Sequence, residues 1–148
     1  MKVLLDTNII VDVLQKREPW FEAGEKIFLA IADGLIIGCV TAKEIADIYY
    51  FSRKQFKGLD NVDEKARIVI AKLLSLFEVI DSLAIDCENA LTIQNNDYED
   101  AIMIAGAIRV GVDCIVTRNT EHYKNSPVMI FSPDDFLSFI SQKELIAR

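Results

Sequence analysis

"KVLLDTN", residues 2–8, ends an apolar run with an acid and two polar residues. A second apolar run, "IIVDVL", follows at residues 9–14. The first run is typical of a buried strand and the second of the start of a helix. Asp6 is therefore either a turn or cap residue between two elements or a member of a reaction site. The remaining sequence has to decide between these interpretations.

The composition is that of an ordinary globular protein. With 148 residues, 51% hydrophobic and 26% charged, the chain can form a full core, and we expect a single domain over residues 1–148. The run "LIIGCV" is too short to cross a membrane, and no signal-peptide pattern follows the lone lysine at residue 2, so we expect a cytoplasmic protein. Cys39, Cys87 and Cys114 lie far apart without a CxxC motif, which predicts neither a zinc site nor a disulfide framework.

The net charge of −7 limits the classes of function. A protein with this charge does not hold nucleic acid by bulk electrostatics, so a basic binding module is disfavoured. Divalent cations can bind if several acids converge. A metal-dependent enzyme therefore remains allowed.

Short strand-like runs alternate with helical patterns along the chain. Strands are predicted at residues 3–5, 35–40, 77–81, 113–117 and 128–131. Helices are predicted at residues 9–14, 21–32, 41–54, 65–77, 86–94, 97–110 and 132–140, with a polar loop at 57–64. This alternation predicts an α/β protein, a three-layer α/β/α arrangement with a central, mainly parallel sheet.

In such folds ligands bind at the carboxyl ends of the strands. The polar residues near those ends are Asp6, Thr7, Asn8, Thr41, Glu44, Asp47, Asp97, Asp100, Arg118 and Asn119. Carboxylates gathered in one small volume repel each other unless cations lie between them. Oxygen-rich sites of this kind suit Mg²⁺ or Mn²⁺.

Each acid also has a purely structural explanation. Thr41 and Glu44 form a T-x-x-E capping box, and Asp97 is a natural N-cap with Asp100 three residues on. Asp47 lies among apolar neighbours and points either to solvent or into a site.

Four further residues are weaker candidates for a functional role. Asn119 could stabilise a turn, and the single histidine, His122, is interpreted as a surface residue rather than a catalytic base. Arg53 and Lys54 are typical of a solvated helix end, although they could contact phosphate.

The sequence resembles the PIN-domain family of metal-dependent nucleases, which includes the VapC-type toxins. Four segments carry the resemblance in family order: "LLDTNIIVDVL", "TAKEIADIYYFSRK", "DYEDAIMIAGAIRVGVDCIVTRN" and "SPDDFL". It is strongest to a bacterial subgroup with a "REPWF"-type segment, an "IYY" helix and a "DYEDA" helix. The likeness covers almost the whole chain.

The resemblance implies roles for particular residues. The first acid of the family falls on Asp6, supported by Thr7 and Asn8, and the third falls on Asp100, with Asp97 as an extra acid one turn earlier. Counting from Thr41 places the second acid on Asp47, with Glu44 as the alternative.

The fourth family position, often Asp, is Asn119 here, and the second carries Asp where Glu is more usual. Both departures could weaken the binding of a second metal ion. Arg118 lies beside the expected site and is, with Arg53 and Lys54, a candidate for contact with substrate phosphate.

The implied activity is Mg²⁺- or Mn²⁺-dependent hydrolysis of RNA, in which the ion activates water and stabilises charge on the leaving oxygen. Implied partners are the RNA substrate, a cognate antitoxin and a second copy of the chain as a homodimer.

Other classes fit less well. Haloacid-dehalogenase-type phosphatases need D-x-D, but residue 8 is Asn, and receiver domains need an acidic pair where this chain has one acid. A P-loop motif is absent. A PIN-like module without activity, serving RNA binding or assembly, remains as the alternative.

Overall fold

The structure is a computed structural model that describes residues 1–147, and its centre is a parallel sheet of five strands. The strands lie in the order β3-β2-β1-β4-β5, and every neighbouring pair is parallel. Their bounds are β1 Lys2–Leu5, β2 Ile37–Thr41, β3 Glu78–Ile80, β4 Cys114–Val116 and β5 Met129–Phe131. The predicted fold class, a three-layer α/β/α arrangement, is confirmed.

Helices connect the strands and cover both faces of the sheet. Their bounds are α1 Thr7–Leu14, α2 Phe21–Ala32, α3 Ala42–Gln55, α4 Val62–Leu76, α5 Ala84–Ala90, α6 Tyr98–Val110 and α7 Pro133–Ala147, with a 3₁₀ helix at Thr120–Tyr123. Among these helices none combines the length and apolarity that crossing a membrane requires.

Alternation along the strands divides the core into two layers. Val3 and Leu5 of β1 pack in a cluster with residues of α1, α2, α3, α4 and α7, whereas Leu4 packs with residues of α6 on the other face. Cys39 and Cys114 are fully buried in these apolar layers. The central strand is thus buried on both sides, which explains why its residues directly before Asp6, Val3, Leu4 and Leu5, are all apolar.

The predicted cap signals are present. The capping box of Thr41 and Glu44 is complete, and Gly111 ends α6 at a φ of 76°. The hydroxyl of Ser132 accepts a hydrogen bond from the backbone N–H of Asp135, as an N-cap should.

Several element boundaries differ from the predictions, and the largest difference is the end of α7 at Ala147, seven residues later than predicted. Strand β2 begins at Ile37, two residues later than predicted, and α4 begins at Val62, three residues earlier. Asp63 and Glu64 lie in the first turn of α4, where their charge favours the helix dipole, so the acids assigned to a loop start a helix instead. Helix α5 ends at Ala90, four residues earlier than predicted.

A buried ion pair ties α5 to α6. Nε and Nη2 of Arg109 donate to the two carboxylate oxygens of Asp86 at 2.8 and 3.0 Å, and Nη2 also donates to the carbonyl of Asp81. The carboxylate of Asp86 also accepts from the backbone N–H of Leu83. Since Asp86 is 1% exposed, its charge depends on these donors.

Asp86→Asn should lower the free energy of unfolding by about 3 kcal/mol, because it leaves a partly buried guanidinium without its counter-charge. The measurement is urea unfolding at neutral pH. The matched control is Glu22→Gln, which breaks the exposed pair with Lys26 and should cost less than about 1 kcal/mol. Equal effects of the two substitutions would contradict the structural role given to the buried pair.

The same pair predicts a pH dependence of stability. Hydrogen bonds from Arg109 lower the pKa of Asp86 in the folded protein. Its stabilisation is therefore complete above the ordinary aspartate pKa and is lost as the pH falls through the lower folded-state pKa. The difference in unfolding free energy between the wild type and Asp86→Asn should be constant near neutrality and shrink below about pH 4. A difference that grows on acidification would show that the sign is wrong.

Candidate active site

A cavity of about 370 Å³ opens at the carboxyl ends of the strands, and its lining includes seven acids. Its apolar wall includes Phe51, Ile80 and Met103. The acids that line it are Asp6, Glu44, Asp47, Asp81, Asp86, Glu99 and Asp100, and Thr7, Asn8, Thr41 and Lys43 lie among them. The sheet therefore brings together residues from four separate stretches of the chain.

Asp6 lies at the centre of this edge because β1 pairs with β2 on one side and β4 on the other. It occupies the N-cap position of α1, but its side chain makes no capping hydrogen bond. Instead, Oδ2 accepts from the hydroxyl of Thr117, which directly follows β4, at 2.8 Å. Burial raises the pKa of Asp6. Capping alone thus does not explain this carboxylate.

Glu44 is 3% exposed, and of the acids that line the cavity only Asp86 is more deeply buried. One oxygen accepts from the backbone N–H of Thr41 at 2.8 Å, and the other accepts from the hydroxyl of Thr7 at 3.3 Å. Burial first, and then the charge of Asp6, raises the pKa of Glu44 to about 8. The residue caps α3 and also faces the first acid.

Asp100 is contributed by the first turn of α6. Its Oδ1 accepts from the hydroxyl of Tyr123 at 2.9 Å, and its Oδ2 lies 3.6 Å from Nδ1 of His122. Burial raises the pKa of Asp100, and the charges of Asp97 and Asp6 raise it further. Asp6, Glu44 and Asp100 are therefore electrostatically coupled acids around one cavity.

Asp47 lines the same cavity but is compensated. Its carboxylate lies 2.7 Å from Nζ of Lys43, and a third of the side chain, 35%, is exposed. Lys43 also reaches Glu99 at 3.2 Å.

Asp97 and Asn119 lie at the rim. The carboxylate of Asp97 accepts from the backbone N–H groups of Glu99 and Asp100, so it serves as the N-cap of α6. Asn119 is exposed, and its backbone N–H donates to the hydroxyl of Thr117. Neither residue lines the cavity.

Arg118 is held on the neighbouring surface rather than over the acids. Its Nε lies 2.8 Å from Oδ2 of the buried Asp12, and its guanidinium stacks 3.9 Å from the ring centroid of Trp20. Arg53 and Lys54 are exposed near the end of α3. His122 is mostly exposed, with 58% of its side chain accessible.

The chemistry of the three coupled acids fits a hard divalent cation, because carboxylate oxygens are the ligands that Mg²⁺ and Mn²⁺ prefer. Within residues 1–147, no set of three or more His, Cys, Asp or Glu side chains is arranged so that it could hold a metal ion. Thr117, Thr7 and Tyr123 occupy one oxygen of each acid. Side-chain rotations would have to bring carboxylate oxygens of these acids closer together for them to hold an ion.

Thr117 and Tyr123 were not among the predicted site residues. Thr117 had an available signal, because it is the last residue of the strand predicted at 113–117. Tyr123 had none, since the 3₁₀ helix that aims it at Asp100 was not predicted.

Comparisons with known proteins agree with this fold. A family model described as "PIN domain" matches residues 2–121. A VapBC2 structure from Rickettsia felis, bound to a promoter DNA fragment, is 18% identical with a TM-score of 0.66, covering 89% of this chain and 98% of that one. A DNA-bound VapBC structure from Salmonella typhimurium is 20% identical with a TM-score of 0.63, covering 90% and 98%.

A third structure, the sarcin-ricin loop cleaving toxin VapC20 of Mycobacterium tuberculosis, is 11% identical with a TM-score of 0.58, covering 76% and 86%. At these identities the likeness shows the fold. No curated protein matches the sequence.

Glu44→Gln should raise the free energy of unfolding of the metal-free protein at pH 8 by about 1 kcal/mol or more, because it removes a desolvated charge beside Asp6. The amide can still accept from Thr41 and donate to the hydroxyl of Thr7. The measurement is urea unfolding in EDTA. Asp47→Asn is the control and should lack this gain, since Lys43 compensates that acid. A large loss of stability in Glu44→Gln would show that the carboxylate is needed only as a cap.

Proposed function

The chain belongs to the PIN domain family, and we propose that it is a metal-dependent endoribonuclease. One observation carries this proposal: the buried Glu44 and the half-buried Asp6 and Asp100 line one cavity, and burial raises the pKa of each. Coupled carboxylates that lose solvent destabilise a fold unless positive charge lies between them, so this cluster is a candidate functional site. A divalent cation offsets this repulsion and gives the acids a function.

We assign the second metal-binding acid to Glu44 rather than to Asp47. Glu44 is coupled to the charge of Asp6, whereas Asp47 forms an ion pair with Lys43. The sequence-based assignment to Asp47 remains the alternative, because its carboxylate also lines the cavity. Asp97 would assist from the rim through its charge on Asp100.

The proposed ligands are carboxylate oxygens of Asp6, Glu44 and Asp100. When bound there, Mg²⁺ or Mn²⁺ supplies positive charge for activating water and stabilising the leaving oxygen. Thr117 and Tyr123 orient Asp6 and Asp100 through their hydroxyl groups. Thr7 and Asn8 support the same edge. Asn119 is exposed and does not line the cavity, and we propose that it contributes at most at the rim.

The choice of RNA as substrate rests on the family resemblance and on one structural neighbour, which is a sarcin-ricin loop cleaving toxin. An inactive PIN module is the second candidate. The observation in its favour is that the acids of residues 1–147 are not arranged to hold a metal without rotating.

We propose further that the protein has an antitoxin partner. Several structural neighbours are VapBC or toxin–antitoxin complexes. A short adjacent reading frame for a DNA-binding protein would support this pairing. The homodimer expected from the family resemblance remains a prediction.

Purified protein with Mn²⁺ or Mg²⁺ should cleave RNA from a mixed panel, and EDTA should abolish cleavage. Asp6→Asn, Glu44→Gln and Asp100→Asn should each slow cleavage roughly 100-fold or more, because each removes charge that holds the ion. Asp47→Asn should have a smaller effect. The readout is the cleavage rate on labelled RNA, with calorimetric titration of Mn²⁺ into each variant.

The matched control is Asp33→Asn, an exposed acid at the end of α2. Metal binding without cleavage in the wild type would favour the inactive module. A large loss of cleavage rate in Asp47→Asn, with little loss in Glu44→Gln, would reverse the assignment of the second metal-binding acid.

A further inference from the structure

A second, shallower cavity of about 500 Å³ lies beside the acidic one. It is lined by Gln15, Arg17, Phe51, Lys54 and Gln55. Phe51 lines both cavities, so the two adjoin at this residue. We call the three residues Arg17, Phe51 and Lys54 the basic-aromatic strip.

The periodicity of α3 places this strip in line with the acids. Glu44, Asp47, Phe51 and Lys54 follow each other at intervals of three, four and three residues, which puts them on one face of the helix. Phe51 thus lies about 10 Å along the helix axis from Glu44, and Lys54 lies about 15 Å away. A single-stranded nucleic acid that leaves the acidic cavity along α3 would meet Phe51 and Lys54 at these distances.

The strip keeps a positive charge in a protein of net charge −7. Arg17 lies 3.9 Å from Asp12, but Arg118 lies only 2.8 Å from the same carboxylate, so one acid serves two guanidinium groups. Among the ion pairs of residues 1–147, none includes Lys54.

The strip is also held in position. The side chain of Gln15 accepts from Nε of Arg17 at 3.1 Å and donates to the carbonyl of Phe51 at 3.5 Å, which links the end of α1 to α3. Arg17 and Lys54 lie 5.7 and 6.0 Å from the centroid of the Phe51 ring. Both are near the outer limit of a cation–π contact, so either can turn toward a phosphate at small cost.

We propose that the basic-aromatic strip is a subsite for a single-stranded RNA segment next to the cleaved bond. An unpaired base stacks on Phe51, and Arg17 and Lys54 contact the adjoining phosphates, the combination by which single strands are bound without strong sequence preference. This inference rests on the proposed ribonuclease function, since RNA is the ligand that would extend from the acidic cavity.

The test is fluorescence anisotropy with a short labelled single-stranded RNA of mixed sequence, in EDTA so that nothing is cleaved. Phe51→Leu should weaken binding roughly fivefold or more, and Phe51→Tyr should restore it, because stacking needs an aromatic face. Arg17→Ala and Lys54→Ala should each weaken binding and lower the slope of log affinity against log salt by about 0.7.

Lys72→Ala, an exposed lysine on α4 outside the strip, is the matched control and should change neither quantity. An RNA of the same length without bases should lose affinity in Arg17→Ala but not in Phe51→Leu. Thermal melting checks that each variant is folded. If Phe51→Leu is unstable, stacking is tested with the wild type, whose affinity for the RNA without bases should be lower than for the RNA with bases.

The outcomes separate this inference from the nuclease proposal. One outcome is that wild-type protein cleaves RNA in an Asp6-dependent manner while the strip variants bind RNA as the wild type does. This result would overturn the proposed RNA subsite and leave the nuclease proposal intact. If the strip variants lose RNA binding while the wild type shows no metal-dependent cleavage, the strip stands and the nuclease fails. No binding of single-stranded RNA by the wild type overturns the strip.

Discussion

The pairing of β1 with β2 on one side and with β4 on the other is the constraint on which the rest of the structure depends. Because all these pairs are parallel, the chain reaches the same edge of the sheet after each strand. Asp6 leaves the central strand at that edge, beside Thr117 at the end of β4 and Thr41 at the end of β2. The acids of α3 and α6 are then brought to Asp6 by the packing of those helices.

Burial and charge oppose each other at this edge. The apolar layers on both faces of the sheet stabilise the fold, but the same burial raises the pKa of Asp6, Glu44 and Asp100. Another buried acid of the same cavity, Asp86, is compensated directly by Arg109. The contrast between compensated and uncompensated acids is what marks one region as a candidate for chemistry.

Sequence patterns were most reliable where local physics decides the structure. The central strand, the helix at residues 21–32 and the caps at Thr41, Gly111 and Ser132 follow from hydrophobic periodicity and capping chemistry. The predicted element boundaries were wrong where the sequence pattern was ambiguous. The acids before α4 were assigned to a loop although they favour a helix start, and the 3₁₀ helix after β4 left no periodic pattern to detect.

By itself the sequence determined the alternation of strands and helices, the apolar centre and the set of acids near the strand ends, because each depends on neighbours within a few residues. Only the tertiary structure decided which acids are coupled. Glu44 and Asp47 are acids one helical turn apart, and the sequence alone does not distinguish their environments. In the structure, Glu44 is buried beside Asp6 and Asp47 pairs with Lys43. The same holds for Arg118, which follows a strand but is held by Asp12 and Trp20 from a distant part of the chain. Desolvation and long-range charge contacts depend on the packing of whole elements, and no local pattern encodes them.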